Sequence, residues 1–123
     1  MNAMEIGTKL VTMSNEGLER EFVAQFYATD IVSIEGQGSE ELPARLEGKD
    51  AVLGKHHWWY AHNEMHSSTA EGPYVGLRED QFAVRFMLDV TPKGGERTQM
   101  EELALYTVRD GAIVEEAFLF RVG

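Results

Sequence analysis

The chain has 123 residues, 43% of them hydrophobic and 26% charged, a composition typical of one globular domain over 1–123. Its 11 Lys and Arg are scattered among 21 Asp and Glu, and the formal charge of −10 argues against nucleic acid as a partner. Cysteine is absent, which excludes disulfides and a thiol nucleophile and favours the cytoplasm. No apolar run approaches the ~18 residues of a membrane span, so no membrane partner is expected.

Two helices are predicted at the start of the chain, over 4–16 and 18–28, because apolar residues recur there at helical spacing. A short strand rich in Ile and Val is predicted over 30–35. The polar, glycine-containing stretch 36–48 then reads as a loop.

A third helix, predicted over 49–64, carries the clearest functional signal. Its apolar side chains fall on one arc of a helical projection, formed by Val52, Leu53, Trp59 and Tyr60. Two polar residues, His56 and Asn63, fall inside the same arc. Polar groups on an apolar face need buried partners or a cavity to line.

The rest of the chain is predicted to form strands, at 66–75, 81–91, 99–108 and 113–120. In the segment 81–91 apolar and polar residues alternate, and the apolar face is formed by Phe82, Val84, Phe86, Leu88 and Val90. Helices followed by a meander of antiparallel strands indicate an α+β fold, with the helices packed on one curved sheet.

The turn between the last two strands decides which residues face each other. A two-residue turn would place Tyr106 opposite Glu115. A three-residue loop would place Tyr106 opposite Val114 and Glu102 opposite Phe118. We favour the longer loop because it sets the apolar residues of the two strands side by side.

In that register two acids share the inward face of the hairpin. Glu102 and Glu116 would be diagonal neighbours about 7 Å apart, close enough to hold a proton between them beside Tyr106. The opposite parity would instead bury Glu101, Leu103 and Leu105. The sequence leaves both parities open.

Three segments carry a family resemblance in their order and spacing: FYATDIVSIEG, LEGKDAV and ELALYTVRDGAIVEEAFLF. They resemble the SnoaL-like branch of the nuclear transport factor 2-like superfamily, which is related to polyketide cyclases and ketosteroid isomerase. The resemblance implies a cystatin-like cone, in which three helices close one mouth of a strongly curved, mostly antiparallel sheet around an apolar pocket. It also implies a homodimer.

The resemblance further implies roles for single residues. Glu35 falls where ketosteroid isomerase has its aspartate base, and Tyr27 where that enzyme has a supporting tyrosine. Val11 and Ala104 stand where it has its two oxyanion donors. The loss of even one such donor typically costs ~10²–10³-fold in rate, so steroid isomerisation by that route is not expected.

The candidate catalytic residues are Glu35 as general base, His56 as a second acid or base, and Tyr106 as hydrogen-bond donor. The candidate pocket residues are Tyr27, Trp59, Asn63, Phe86, Glu102, Glu116 and Phe118. Each candidate also has a structural interpretation, such as a solvated strand-end acid for Glu35 or a hydrogen-bonded core residue for His56. His62 and His66 have helical metal-ligand spacing but no third ligand in the sequence, so no metal or other cofactor is expected.

Three interpretations of function follow. The first is a pocket for a small, apolar, cyclic molecule, with cofactor-free acid/base chemistry of the isomerase or cyclase kind if the protein is an enzyme. The second is a noncatalytic ligand-binding or dimeric interaction module, since family membership does not imply catalysis. In the third, a protein partner binds the outer sheet face that carries Arg85, Met87 and Asp89.

Overall fold

The computed structural model describes residues 1–35, 43–76 and 78–122, with side chains up to residue 119. Its helices are α1 Ala3–Asn15, α2 Glu19–Phe26 and α3 Lys49–His62. Its strands are β1 Tyr27–Ile34, β2 Arg45–Glu47, β3 Asn63–Tyr74, β4 Gln81–Pro92, β5 Thr98–Arg109 and β6 Ala112–Val122. The strand β2 lies within the predicted loop 36–48, of which 36–42 is outside the described residues.

The six strands form one mixed sheet in the order β2-β1-β6-β5-β4-β3, in which only the β1–β6 pair is parallel among the described strands. Helix α3 contacts both β1 and β3, which lie four places apart in that order. Buried residues of the five strands from β1 to β3 in that order share one core with the three helices, among them Ile31 of β1, Ala70 of β3 and Val52 of α3. The sheet therefore curves around α3, and the α+β cone expected from the resemblance is confirmed.

The alternation predicted for 81–91 is confirmed in β4, where Phe82, Val84, Phe86, Leu88 and Val90 are all buried. They share a core with apolar residues of the helices, including Ile6 and Leu10 of α1 and Phe22 of α2. Helix α1 begins at a capping box, in which Asn2 and Glu5 each bond the other's backbone N–H. The helices thus cover one face of the sheet and leave the other without a helical layer in the described part of the chain.

The predicted three-residue loop between the last two strands is wrong. Arg109 pairs with Ala112, so the turn has two residues, Asp110 and Gly111, both with positive φ. This is the backbone that an Asp-Gly hairpin turn favours. A register shift after Val108 then carries Tyr106 opposite Glu116 rather than Val114 or Glu115.

A second shift, between Leu103 and Ala104, places Glu102 opposite Arg121 rather than Phe118. Each irregularity adds a residue to β6, so the inward parity of β6 changes between Ile113 and Glu116 whereas β5 keeps its parity. The parity that buries Glu102, Ala104 and Tyr106 is confirmed, and the alternative parity is excluded.

Replacing glycine with alanine is expected to have opposite effects at Gly7 of α1 and Gly54 of α3, because only Gly7 is packed closely against the sheet. A Cβ at Gly7 would lie 2.7 Å from Pro73 Cβ and 2.9 Å from Phe82 Cδ2, whereas one at Gly54 would meet no described atom within 4 Å. We expect Gly7→Ala to lower the free energy of unfolding by about 1–3 kcal/mol through overpacking. Gly54→Ala should raise it by about 0.5–1 kcal/mol, because alanine is the better helix former. Urea denaturation of both variants tests this, and a stabilising Gly7→Ala would contradict it.

Candidate active site

A cavity of about 590 Å³ lies between the helices and the sheet. Every helix and every strand except β2 contributes to its lining. Seven of its 22 described lining residues are Phe, Trp or Tyr, and they include both tryptophans of the chain, Trp58 and Trp59. All ten candidate site residues of the sequence line this one cavity: Tyr27, Glu35, His56, Trp59, Asn63, Phe86, Glu102, Tyr106, Glu116 and Phe118. Their roles remain predictions.

Glu116 is the most deeply buried acid of the cavity, with 1% of its side chain exposed. Its Oε2 accepts a 2.5 Å hydrogen bond from the Tyr27 hydroxyl, and its Oε1 accepts one of 3.0 Å from the Ser33 hydroxyl. Lys55 Nζ lies 3.4 Å from the same Oε1. A carboxylate removed from water in this way is stabilised by three donors, one of them charged.

Lys55 is the residue that sequence reasoning missed. Its side chain is 5% exposed, and its Nζ donates to Ser33 Oγ at 2.6 Å and contacts Glu35 Oε1 at 3.4 Å. The same ammonium lies 4.9 Å from the centroid of the Phe118 ring. We call Tyr27, Ser33, Glu35, Lys55 and Glu116 the lysine cluster.

A weak signal for this burial exists in the sequence. Lys55 follows Val52 by three residues and precedes Trp59 by four, which places it about 40° outside the predicted apolar arc. Lysines at the edge of an apolar face usually extend their charge into water. Here the acids of β1 and β6 make burial possible, and those contacts are not visible in the local sequence.

Glu35 follows the last residue of β1 and lies at the edge of the cavity, with 17% of its side chain exposed. Its backbone N–H donates to Ala44 O at 2.7 Å, which ties the end of the strand to the chain that returns as β2. The backbone hydrogen bond and the ion pair with Lys55 therefore fix the position of Glu35, and its carboxylate still lines the cavity. This is the position that a general base requires.

Two buried tyrosines stand beside Glu116. Burial, followed by the charge of Glu116, raises the pKa of Tyr27 well above its ordinary value of 10.0. Burial also raises the pKa of Tyr106 well above that value, with Glu116 and other acids adding to the effect and a hydrogen bond with Tyr27 opposing it. The Tyr106 ring is fixed by stacking on Phe82 at a centroid distance of 4.9 Å. Both hydroxyls therefore keep their protons at neutral pH. Since Tyr27 donates its single hydrogen to Glu116, of the two only Tyr106 can turn its hydrogen towards a bound molecule.

His56 and Asn63 lie on the cavity side of α3 and at its end, as the predicted arc indicated. Asn63 donates one amide hydrogen to the carbonyl oxygen of Trp59 at 2.9 Å, so part of its bonding capacity closes the helix. His56 is half-buried and lines the cavity. The imidazole is thus placed where it can reach a bound molecule.

The predicted pairing of Glu102 with Glu116 is wrong. Glu116 lies opposite Tyr106, four residues from Glu102 along β5, because the register shifts displace the two strands. Four residues of strand span ~13 Å, so these carboxyl groups are not diagonal neighbours and do not share a proton. Both acids are nevertheless buried and line the cavity, Glu102 with 9% of its surface exposed.

The two histidines with helical metal-ligand spacing are engaged separately. His62 stacks on Trp58 with ring centroids 4.2 Å apart, and its Nδ1 lies 2.7 Å from the Trp58 carbonyl oxygen. His66 lies in β3, where its Nε2 is 2.7 Å from Thr91 Oγ1. Within the described ranges no three acidic, histidine or cysteine residues are grouped to hold a metal ion, and no helix there is long and apolar enough to span a membrane.

Comparison with known proteins places this architecture in a family. The sequence profile of the SnoaL-like domain matches residues 1–120. A Mesorhizobium loti protein, a candidate SnoaL-like polyketide cyclase, is 40% identical over 94% of this chain and 97% of its own, with a TM-score of 0.86. No protein of curated function matches the chain.

More distant proteins share the fold. A Mycobacterium tuberculosis protein, solved in complex with estradiol-17β-hemisuccinate, is 20% identical over 100% of both chains, with a TM-score of 0.73. A candidate isomerase from Bacillus subtilis is 20% identical over 94% of this chain and 84% of its own, also with a TM-score of 0.73. The family profile, the 40% identical relative and the curved sheet with its cavity agree, and the chain belongs to the SnoaL-like domain family.

Proposed function

We propose that this cavity binds a small, apolar, cyclic carbonyl compound and catalyses cofactor-free proton transfer next to the carbonyl group. Glu35 removes the α-proton, Tyr106 donates a hydrogen bond to the carbonyl oxygen, and protonated His56 delivers a proton to the atom that accepts it. Exchange with water then deprotonates Glu35 and reprotonates His56, which restores the starting state. One observation carries the proposal: these three side chains line the same cavity of about 590 Å³, together with several aromatic residues.

The arrangement suits proton transfer for physical reasons. Tyr106 keeps its proton because burial raises its pKa, so it can donate to an oxygen on which negative charge develops. Glu35 is the more exposed of the two acids that contact Lys55, which leaves it accessible to a bound molecule while Glu116 stays within the protein. The aromatic side chains of the lining favour planar rings.

A test does not require the natural substrate. The cyclic ketone 2-tetralone, incubated with the protein in D₂O, loses its α-hydrogen NMR signal when a base removes the proton. We expect exchange above the buffer rate for the native protein and a loss of about 10²–10⁴-fold in the protein-dependent rate for Glu35→Gln. Asp110→Asn, at the hairpin turn and outside the cavity lining, is the matched control and should exchange at the native rate.

Two outcomes would reject the enzymatic assignment. Equal exchange by Glu35→Gln and the native protein would remove Glu35 from the mechanism. Binding of 2-tetralone without exchange, followed by the fluorescence of Trp58 and Trp59 in the cavity wall, would favour the noncatalytic ligand-binding module. The estradiol ester held by the Mycobacterium tuberculosis relative supports binding of ring compounds by this fold, and for this chain it remains part of the proposal.

The proposal includes a cytoplasmic homodimer, as the resemblance implies. The outer sheet face carries half-buried Leu103 and Leu105 beside an ion pair of 2.5 Å between Arg85 and Glu101. Apolar side chains interleaved with paired charges are compatible with a subunit contact. The lack of cysteine supports the reducing compartment. Native mass spectrometry that detects only monomer would contradict the dimer.

A further inference from the structure

We infer that the cavity selects its ligand by charge: it accepts ring compounds that are neutral or carry a protonated amine, and it rejects those that carry a carboxylate or another anion. The inference rests on the proposed function, because it names the class of molecule that the same cavity takes. It follows from how the lysine cluster uses its hydrogen bonds.

The buried cation of the cavity is already committed to the protein. An ammonium group has three hydrogens to donate. Lys55 Nζ has an acceptor for each, Ser33 Oγ at 2.6 Å and the Oε1 atoms of Glu35 and Glu116 at 3.4 Å. With 5% of its side chain exposed, Lys55 has no hydrogen left for the carboxylate of a ligand. A bound anion would have to take the place of one of these acids.

The charges around Lys55 do not cancel. Glu116 accepts from Tyr27, Ser33 and Lys55, an arrangement that fits a carboxylate. Glu35 brings a second carboxylate to the same ammonium. A third acid, Glu19, lines the cavity where it accepts a hydrogen bond of 3.3 Å from Tyr60. Among the described lining residues Lys55 is the one lysine or arginine, whereas four are glutamates. The described lining therefore carries an excess of negative charge.

The aromatic walls act in the same direction. Trp58, Trp59 and Phe86 line the cavity, and the face of an aromatic ring attracts a cation and repels an anion. For groups that are partly removed from water, as in this cavity, repulsion between like charges is stronger than at the surface. An ammonium group on a ring compound would be attracted both by Glu35 and by these rings, whereas a carboxylate would be repelled by both.

The experiment uses three probes of the same size that differ only in charge: naphthylmethylamine, naphthylmethanol and naphthoate. Their affinities are measured by isothermal titration calorimetry at about pH 8, where imidazole groups ordinarily carry no charge. We expect the amine to bind at least about tenfold more tightly than the carboxylate, with the alcohol between them. Equal affinities, or tighter binding of naphthoate, would overturn the inference and leave the proposed binding of ring compounds intact.

If none of the probes binds, the proposed function fails. The sign of the charge in the cavity can then be measured by fluorescence quenching, without a ligand. Both tryptophans line it, so their fluorescence can be quenched with caesium, iodide and neutral acrylamide. Relative to free tryptophanamide, caesium should be at least about twofold more effective than iodide. Glu35→Gln should reduce this difference and Asp110→Asn should not. Quenching by iodide that equals or exceeds quenching by caesium would overturn the inference.

Discussion

Replacing Lys55 with methionine is expected to lower the free energy of unfolding by about 3–5 kcal/mol, a large effect for one substitution. Methionine keeps most of the length and apolar character of the side chain. It removes the ammonium that contacts Glu35 and Glu116 at 3.4 Å, and Glu116 is 1% exposed. Two carboxylates would then face each other in a cavity wall without a cation. Urea denaturation of the variant gives the measurement.

Two further variants separate the ion cluster from the loss of a lysine. Lys9→Met makes the same change on the exposed face of α1 and should alter stability by no more than about 0.5 kcal/mol. Adding Glu116→Gln to Lys55→Met removes one uncompensated charge and should recover part of the lost stability, which a double-mutant cycle measures. A loss for Lys55→Met as small as that for Lys9→Met would contradict the lysine cluster as a stabilising unit.

The two buried tyrosines are expected to make the fold sensitive to alkali. Their pKa values are raised by folding, so the folded protein retains protons that the unfolded chain loses above about pH 10. Their contribution is therefore complete below pH ~10 and is lost as the pH rises towards the pKa values of the folded state. In that window each tyrosine lowers the free energy of unfolding by about 1.4 kcal/mol per pH unit.

Tyr106→Phe tests this contribution with little change in packing, because the Phe82 stacking partner accepts either ring. Between about pH 10 and 11, the free energy of unfolding of the variant should fall less steeply with pH than that of the native protein. The difference between the two slopes is the contribution of one tyrosine. Urea denaturation at a series of pH values measures both slopes. Identical slopes would show that Tyr106 ionises equally well in the folded and unfolded states. Tyr60, whose pKa burial and Glu19 raise to about 12, adds to the slope of both proteins equally.

Much of the fold could be predicted because its signals are local. The helix Lys49–His62 and the strand Gln81–Pro92 were predicted within two residues of their observed ends. Periodicity of 3.6 or 2 residues needs only neighbours in the chain, and it indicated which face of each element is buried. For the same reason His56 and Asn63 were placed correctly on the cavity side of α3.

The hairpin shows where local reasoning ends. The Asp-Gly turn is visible in the sequence, but the register shifts after it depend on how β6 fits both β5 and the parallel neighbour β1. The expected partners of Tyr106 and Glu102 were therefore wrong, although the buried face of β5 was right. A shift of pairing by one residue changes which side chains of a strand face inward, so its position is decided by packing across the sheet.

From the amino-acid sequence alone came the class of fold, the buried faces of β4 and β5, and ten candidate residues that line the cavity. Only the tertiary structure decided how their charges are arranged. Ser33, Glu35, Lys55 and Glu116 come from β1, the chain just after it, α3 and β6, and the curved sheet brings them within hydrogen-bonding distance. A buried lysine is stable only where acids from distant parts of the chain surround it, and such long-range contacts leave no periodic trace in sequence.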